Sequence, residues 1–473
     1  MQSIVIVGGG ISGLSAAYYL EKYAEEAGMD ISVCLLEGRN RLGGVIATER
    51  CGDFLLEGGP DSFLAQKPAA VELCRALGLA DQLIPSNDEQ RKTYILQGHK
   101  LKPLPDGLMF VVPTRVGSVL RSDLFSFSGK LRLVLSPLLA PRLPPEEDCS
   151  VAEFVSRRLG RQALERVAEP LLSAVYGADV DSLSARAALP QFIALEEKYG
   201  SLWQAIRQAR RNRSLQNGPR QQASLFITLR NGVGEMVSAL EKKLVKTTLM
   251  TGSEVVQVET DSHPGGYRVR WQGGELETPA VILATPAHAT ARMIQKLDPE
   301  LAETLNEIPY HSSVIVLMGF EEHQFPQPPD GFGFVVPRSE GKKMLACTWV
   351  STKFPFRCPP GKVLVRCFFG GARDPAILEA PDDRIVQDAL SELHSIIGLR
   401  SDPAFIRIYR WERCMPQYPV GHPRRLQRVA ASLQRHPGLF LSGNAYRGVG
   451  VPDCIQASSA AASAALDYLW LLS

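Results

Sequence analysis

Glycines at positions 8, 10 and 13, an acid at Glu37, and then Arg41, Gly43 and Gly44 form the group of residues in this sequence best suited to binding chemistry. Gly8, Gly10 and Gly13 have G-x-G-x-x-G spacing, directly after the apolar run Ile4 to Val7 and at the head of a helical stretch from Ile11 to about Ala27. Such a turn needs its first glycine to bend, its second to let a pyrophosphate reach the backbone, and its third to let helix and strand pack closely. The helix start then offers unpaired N–H groups and partial positive charge to phosphate. Glu37 ends a second apolar run, Ile31 to Leu36, where a carboxylate can accept hydrogen bonds from adenosine ribose hydroxyls.

NAD and FAD proteins share that much. What favours FAD is the continuation Glu37-Gly38-Arg39-Asn40-Arg41-Leu42-Gly43-Gly44. A basic side chain and two glycines just after the ribose acid suit a long, flat cofactor that runs close to the backbone. The expected cofactor is FAD, held non-covalently. Near the other terminus, Leu439 to Asn444 reads as a strand and turn, followed by Arg447-Gly448-Val449-Gly450-Val451-Pro452-Asp453 and a small-residue helix. Proline suits a first helical turn, and the positive end of that helix would stabilise negative charge on a reduced flavin by about 0.5–2 kcal/mol.

These strings need elements to hold them. The opening predicts strand, glycine turn, helix and strand, one βαβ unit. Further strand signals at Glu254 to Glu259, Tyr267 to Trp271 and Ala280 to Ala284 predict that the nucleotide-binding unit is discontinuous. Leu83 to Gln222 carries helical patterns, turn signals and the proline-rich stretch Pro137 to Pro145, and reads as inserted material. From Ala289 to His436 the strand-like runs Ser313 to Phe320, Gly331 to Val336 and Val363 to Phe369 accompany a helix near Asp383 to Ile397, which predicts a second, substrate-side sheet.

With 473 residues, 45% of them hydrophobic, the chain can bury more than one core. A formal charge of +2 without a basic run argues against nucleic acid. Nine cysteines without a C-x-x-C pair read as reduced thiols of a cytosolic protein, and scattered histidines give no metal-ligand spacing. The first strand starts so early that no cleavable leader is expected, and no apolar stretch approaches the ~20 residues of a membrane span.

Taken together, the flavin strings, Glu57-Gly58-Gly59-Pro60-Asp61-Ser62-Phe63-Leu64, Glu169-Pro170-Leu171-Leu172, Met415-Pro416-Gln417-Tyr418 with Gly421-His422, and Gly448 through Ile455 resemble the oxygen-dependent porphyrinogen oxidases of haem biosynthesis from end to end. The resemblance implies a mixed α/β fold of the flavin amine oxidase superfamily: an FAD domain (1–85, 225–288, 437–473), a mixed-sheet substrate domain (86–110, 190–224, 289–436) and an inserted helical domain (111–189). It implies that Gly59, Pro60, Asp61 and Ser62 line the flavin, that Val255 meets adenine through its backbone, and that Gly448, Val449, Gly450 and Val451 meet the isoalloxazine. On the substrate side it implies Ala174, Phe332, Gly333, Val335 and Phe368 as pocket residues.

A propionate contact is expected from Lys67, with Lys92 as the alternative where plant and animal enzymes have an arginine; a lysine offers a point charge in place of a bidentate fork. The implied reaction takes a porphyrinogen to its porphyrin in three two-electron cycles, with O2 as acceptor and H2O2 as product, and needs no strong protein base. Neither coproporphyrinogen III nor protoporphyrinogen IX is singled out as substrate, and the oligomeric state is left open. Rival readings are an amine oxidase or carotenoid desaturase of the same superfamily, or a non-catalytic binding protein of the same fold. Apolar runs between Leu108 and Pro145, interleaved with Arg115, Arg121, Lys130, Arg132 and Arg142, suit either a peripheral membrane surface on the inner face of the cell membrane or packed helices with a solvated basic face.

Overall fold

The computed structural model of the chain describes residues 2–105, 107–109, 112–113, 116–139, 147–199, 224–261 and 265–472. Of the positions singled out above, Arg115, Arg142, the 140–145 part of the proline-rich stretch and residues 200–222 lie outside the described residues.

A five-stranded parallel sheet carries the glycine turn, in the order Thr247–Met250, Ile31–Leu36, Gln2–Val7, Ala280–Leu283, Leu439–Leu441. Its strands come from widely separated stretches of chain. In Gln2–Val7 the side chains alternate, Ile4 and Ile6 to one core and Val5 and Val7 to another. On the first face lie the helices Ile11–Ala27 and Val451–Leu472, packed against one another through small residues such as Ala16, Ala17, Ala462 and Ala465. The helix Ile11–Ala27 ends at Gly28, in the left-handed conformation (φ 66°). The opposite face is covered by a three-stranded antiparallel sheet, Val255–Thr260, Tyr267–Trp271 and Gly274–Thr278, and by the helices Ala287–Ile294 and Pro299–Asn306.

A seven-stranded mixed sheet forms the second layer system, in the order Phe405–Pro416, Tyr310–Glu321, Lys362–Gly370, Ala346–Trp349, Gly333–Val335, Thr93–Gln97, Lys100–Pro103. The Leu83 to Gln222 stretch is therefore not helical throughout, because its early part supplies the last two strands of this sheet. The two faces have different partners. Val314, Val316, Phe334, Cys347, Val365 and Cys367 point into a core shared with the helix Asp382–Ile397. On the other face, pairing register lines up Ile315, Phe368, Ala346, Val335 and Ile95 in one row, with Leu317, Arg366, Thr348, Gly333 and Thr93 in the next. These two rows face away from the helix.

The inserted helices Val116–Arg121, Phe127–Leu139, Val151–Leu159, Glu169–Tyr176 and Pro190–Tyr199 share a further core containing Val151, Phe154, Val155, Val167, Leu172 and Phe192. That core reaches the first row of the sheet through Ile95, Val335 and Ala346. The insertion thus forms one wall of the space the sheet faces. All nine cysteines are free thiols. Among the described residues, no helix is long and apolar enough to cross a membrane, and no group of three or more His, Cys, Asp or Glu is placed to hold a metal ion.

Candidate active site

Gly8 turns the chain at the C-terminal end of the first strand with φ 106°. A Cβ on Gly13 would lie 1.8 Å from the Gly8 carbonyl oxygen, so the helix meets the turn with no room for any side chain. Gly10 stands at the helix N-cap without a side-chain cap and no acid occupies the first turn, which leaves the first-turn N–H donors for an anion. Glu37 is held rather than free: its carboxylate accepts from the Gly9 N–H at 2.6 Å and the Arg39 N–H at 2.8 Å. Arg41 donates to the carbonyls of Leu42 and Ile46, at 3.2 and 3.1 Å, and also to that of Gly44. It therefore shapes the loop, while the Gly43 N–H donates to the Gly9 carbonyl at 2.8 Å and locks the loop to the turn. Val255 opens its strand just beyond Gly252 and Ser253, whose N–H groups donate to the carbonyls of Arg39 and Glu37. Uncapped helix, anchored ribose acid and facing glycines together fit the ADP half of FAD.

From this cradle the chain continues to the Gly58–Ser62 strip. A Cβ on Gly59 would meet the Val45 oxygen at 1.8 Å, so strip and cradle touch backbone to backbone. Behind the strip lies a buried charge cluster that the sequence reading did not anticipate. Asp61 pairs with Lys353 Nζ at 3.0 and 3.1 Å and with Arg366 at 3.7 Å. Arg357, fully buried, donates to Glu57 at 3.1 Å, to the Asp61 carbonyl at 2.9 Å and to Thr228 Oγ1 at 2.6 Å. Burial opposes ionisation of Asp61, but Lys353, Arg366 and Arg357 outweigh it and hold the carboxyl well below the usual carboxylate range. Glu57, by contrast, is pushed up to about 7 by burial despite Arg357. The sequence signal was an arginine inside the apolar strand Val363–Phe369.

The second flavin string sits across from the first. Gly448 turns with φ 102°, and its N–H donates to Tyr418 Oη at 3.0 Å, while the Tyr418 hydroxyl donates to the Asn444 carbonyl. His422 stacks on the Tyr418 ring (4.3 Å between centroids) and its Nε2 bonds the Tyr446 carbonyl at 3.2 Å. Burial lowers the His422 pKa to about 4, so the ring is neutral. The Met415–His422 string, quoted above only for its likeness, is therefore the support of the 444–448 loop. Asp453, in the first turn of the final helix, accepts from Gly450 N–H at 3.2 Å and is paired with Lys67 at 2.6 and 2.7 Å. Lys67 thus bridges two stretches that border the flavin space, a link that residue spacing alone does not reveal.

Among the substrate-side candidates, Ala174, Val335 and Phe368 come together with Val449 in one apolar cluster, joining insertion, sheet and flavin loop. Gly333 lies in the neighbouring row, where a Cβ would meet the Cys347 oxygen at 2.0 Å. Phe332 precedes Gly333, and its ring lies 6.4 Å from that of Phe226. Lys92 accepts from the Phe332 N–H at 2.7 Å through its carbonyl, while its side chain pairs with Asp330 at 2.8 Å with both side chains more than half exposed.

A family model described as flavin containing amine oxidoreductase matches residues 11–466 of the chain. The coproporphyrinogen III oxidase of Bacillus subtilis (strain 168) is 35% identical over 472 residues, covering 99% of this chain and 98% of that protein. The chloroplastic protoporphyrinogen oxidase 1 of Spinacia oleracea is 29% identical, covering 98% and 84%. In three dimensions the chain is similar to a protein from Exiguobacterium sp. 255-15 provisionally named a protoporphyrinogen oxidase, with TM-score 0.85, 32% identity and 99% of each chain covered.

Proposed function

This chain belongs to the flavin containing amine oxidoreductase family and is an FAD-dependent oxidoreductase, and from that premise we propose that it oxidises a porphyrinogen to its porphyrin with O2 as acceptor and release of H2O2. The observation that carries the reading is that partly buried Ala174, Phe368 and Val449 pack, with buried Val335, on one apolar core, so that three parts of the chain offer apolar surface to a flat macrocycle. Bound FAD supplies the two-electron acceptor. The protein's own contribution is orientation: Phe368 and Val335 face the macrocycle, and Gly59–Ser62 with Gly448–Val451 hold the ring that receives the electrons. A methylene bridge between electron-rich pyrroles gives up a hydride readily, so no side chain has to act as a strong base. In this reading the chain divides into FAD, substrate and helical domains, with the helices Ala287–Ile294 and Pro299–Asn306 packed on the FAD-domain sheet and Pro190–Tyr199 on the helical core.

The test is fluorescence of the porphyrin formed when the yellow holoenzyme is mixed with coproporphyrinogen III or protoporphyrinogen IX, beside a panel of primary amines. Turnover of an amine without either porphyrinogen overturns the proposal.

A peripheral membrane contact of this cytoplasmic protein is favoured by a separate observation. Phe127, Leu131 and Leu135, one helical turn apart, are 84%, 49% and 38% exposed, with Lys130 among them. Flotation with anionic liposomes should carry the protein upward, and Phe127→Ser should weaken it; protein left at the bottom in both cases removes the contact.

A further inference from the structure

The charge cluster behind the Gly58–Ser62 strip holds more positive charge than its own anions balance. Lys353, Arg357 and Arg366 stand against Asp61 and Glu57, and the burial that pushes Glu57 up to about 7 leaves Asp61 as the one firmly ionised acid. Donors are also left over: Arg357 Nε and Nη1 and Arg366 Nε are buried with no hydrogen-bond partner among the described residues. Such donors normally find an acceptor. In a water-poor interior, charges act on their surroundings far more strongly than at the surface.

The same cations fix the strip's backbone. The Gly58 carbonyl accepts from Trp411 Nε1 at 2.7 Å, the Gly59 carbonyl accepts from Arg366, and the Asp61 carbonyl accepts from both Arg357 and Thr228, at 2.9 and 2.8 Å. In a planar trans peptide, the N–H of the next residue points opposite to the carbonyl. The Asp61 carbonyl, turned to Arg357, therefore sends the Ser62 N–H to the strip's other side, where Pro60, Asp61 and Ser62 are only half-buried; Pro60, which follows the Gly59 carbonyl, has no N–H.

We propose that this cluster is an electron-attracting backing for the flavin, in which Lys353, Arg357 and Arg366 raise the reduction potential of FAD, Arg357 also acting as a positioning residue that turns the Ser62 amide toward the ring. The inference rests on placing the ring against Gly59–Ser62. A substrate carboxylate is the less suitable ligand, because Asp61, at 12% side-chain exposure, is more open than Lys353 at 9% or Arg366 at 5% and would repel it.

The experiment measures the midpoint potential of holoenzyme FAD against reference dyes, together with sulfite affinity, since sulfite leaves the ring anionic as reduction does. Lys353→Met should bind sulfite at least tenfold more weakly, equivalent to about 30 mV for a two-electron couple. Asp61→Asn should shift both readouts the opposite way, and Lys353→Arg should stay near the wild type. Lys353→Gln replaces the methionine variant should that one not retain FAD. Sulfite affinities within twofold of the wild type and potentials within about 9 mV of it in both charge-changing variants overturn the proposal, as do shifts in the same direction. A raised porphyrinogen KM with an unchanged potential overturns it too, in favour of a substrate subsite. Pro60→Trp tests the placement separately: undiminished FAD uptake would move the ring away from the strip, whatever the cluster does.

Discussion

The two ends of the flavin site are built by different means. Around Gly8–Gly44 the cradle is made of backbone and of missing side chains, with turn, helix start and loop locked by main-chain bonds. The loop from Asn444 to Gly450 is shaped instead by side chains from other elements: Tyr418 and His422 beneath it, and Lys67 on Asp453 beside it. Steric necessity governs the first region and hydrogen bonding the second. Substitutions should therefore fail abruptly in the cradle and by degrees at the loop.

Gly13→Val tests the abrupt side. With the Gly8 oxygen 1.8 Å from where its Cβ would sit, the helix cannot stay docked, and the expected outcome is protein purified without yellow colour. Tyr418→Phe keeps the ring and removes one hydroxyl. It leaves the Gly448 N–H and the Asn444 carbonyl without their partner, each at a cost of about 1–3 kcal/mol if it stays unpaired. FAD dissociation, followed by flavin fluorescence, should rise by roughly 10- to 100-fold while the fold survives. An unchanged rate would mean that the loop does not depend on this support.

The loop should also respond to acid. Buried His422 has its pKa lowered to about 4 from an ordinary 6.5, so the unfolded chain binds its proton first as pH falls. Stability contributed by the neutral ring is complete above about 6.5 and is lost progressively down to about 4, reaching roughly 2 kcal/mol at pH 5. His288, also lowered to about 4, by burial and by Arg413 and Arg292, acts with the same sign. Glu57 opposes them, since a raised acid adds stability that disappears as pH climbs from 4.5 toward 7. His422→Phe should flatten the loss of thermal stability between pH 6.5 and 5; an unaltered pH profile would assign the acid sensitivity elsewhere.

The same contrast explains what could be read from sequence. Gly8, Gly13, Glu37 and Gly44 announce themselves because their constraints are local, and the parallel sheet follows from alternating apolar runs such as Ile4 to Val7. Tyr418 and His422 were visible only as part of a family-like string, because nothing in the residues flanking Gly448 shows that side chains from another element hold it. The charge cluster was less legible still. Lys353, Arg357 and Arg366 meet Asp61 across some 300 residues, and their neutralisation depends on sheet register and burial that no short window contains. Of the predicted pocket residues, Ala174, Val335 and Phe368 do converge, whereas Lys92 remains on the surface with Asp330.

Lys67 ties the chain beyond the Gly58–Ser62 strip to the final helix, and it offers the finest test. Its pair with Asp453 is geometrically good but 46% exposed on the lysine side, so solvent screening leaves it about 0.2–1 kcal/mol. Lys67→Ala should weaken FAD binding by no more than about fivefold, and that loss should vanish in an Asp453→Asn background, because the partner charge is already gone. A propionate contact would behave differently, raising the KM for a porphyrinogen in both backgrounds and leaving FAD affinity alone. Full additivity of the two FAD effects would detach Lys67 from Asp453 and give it an effect on FAD of its own.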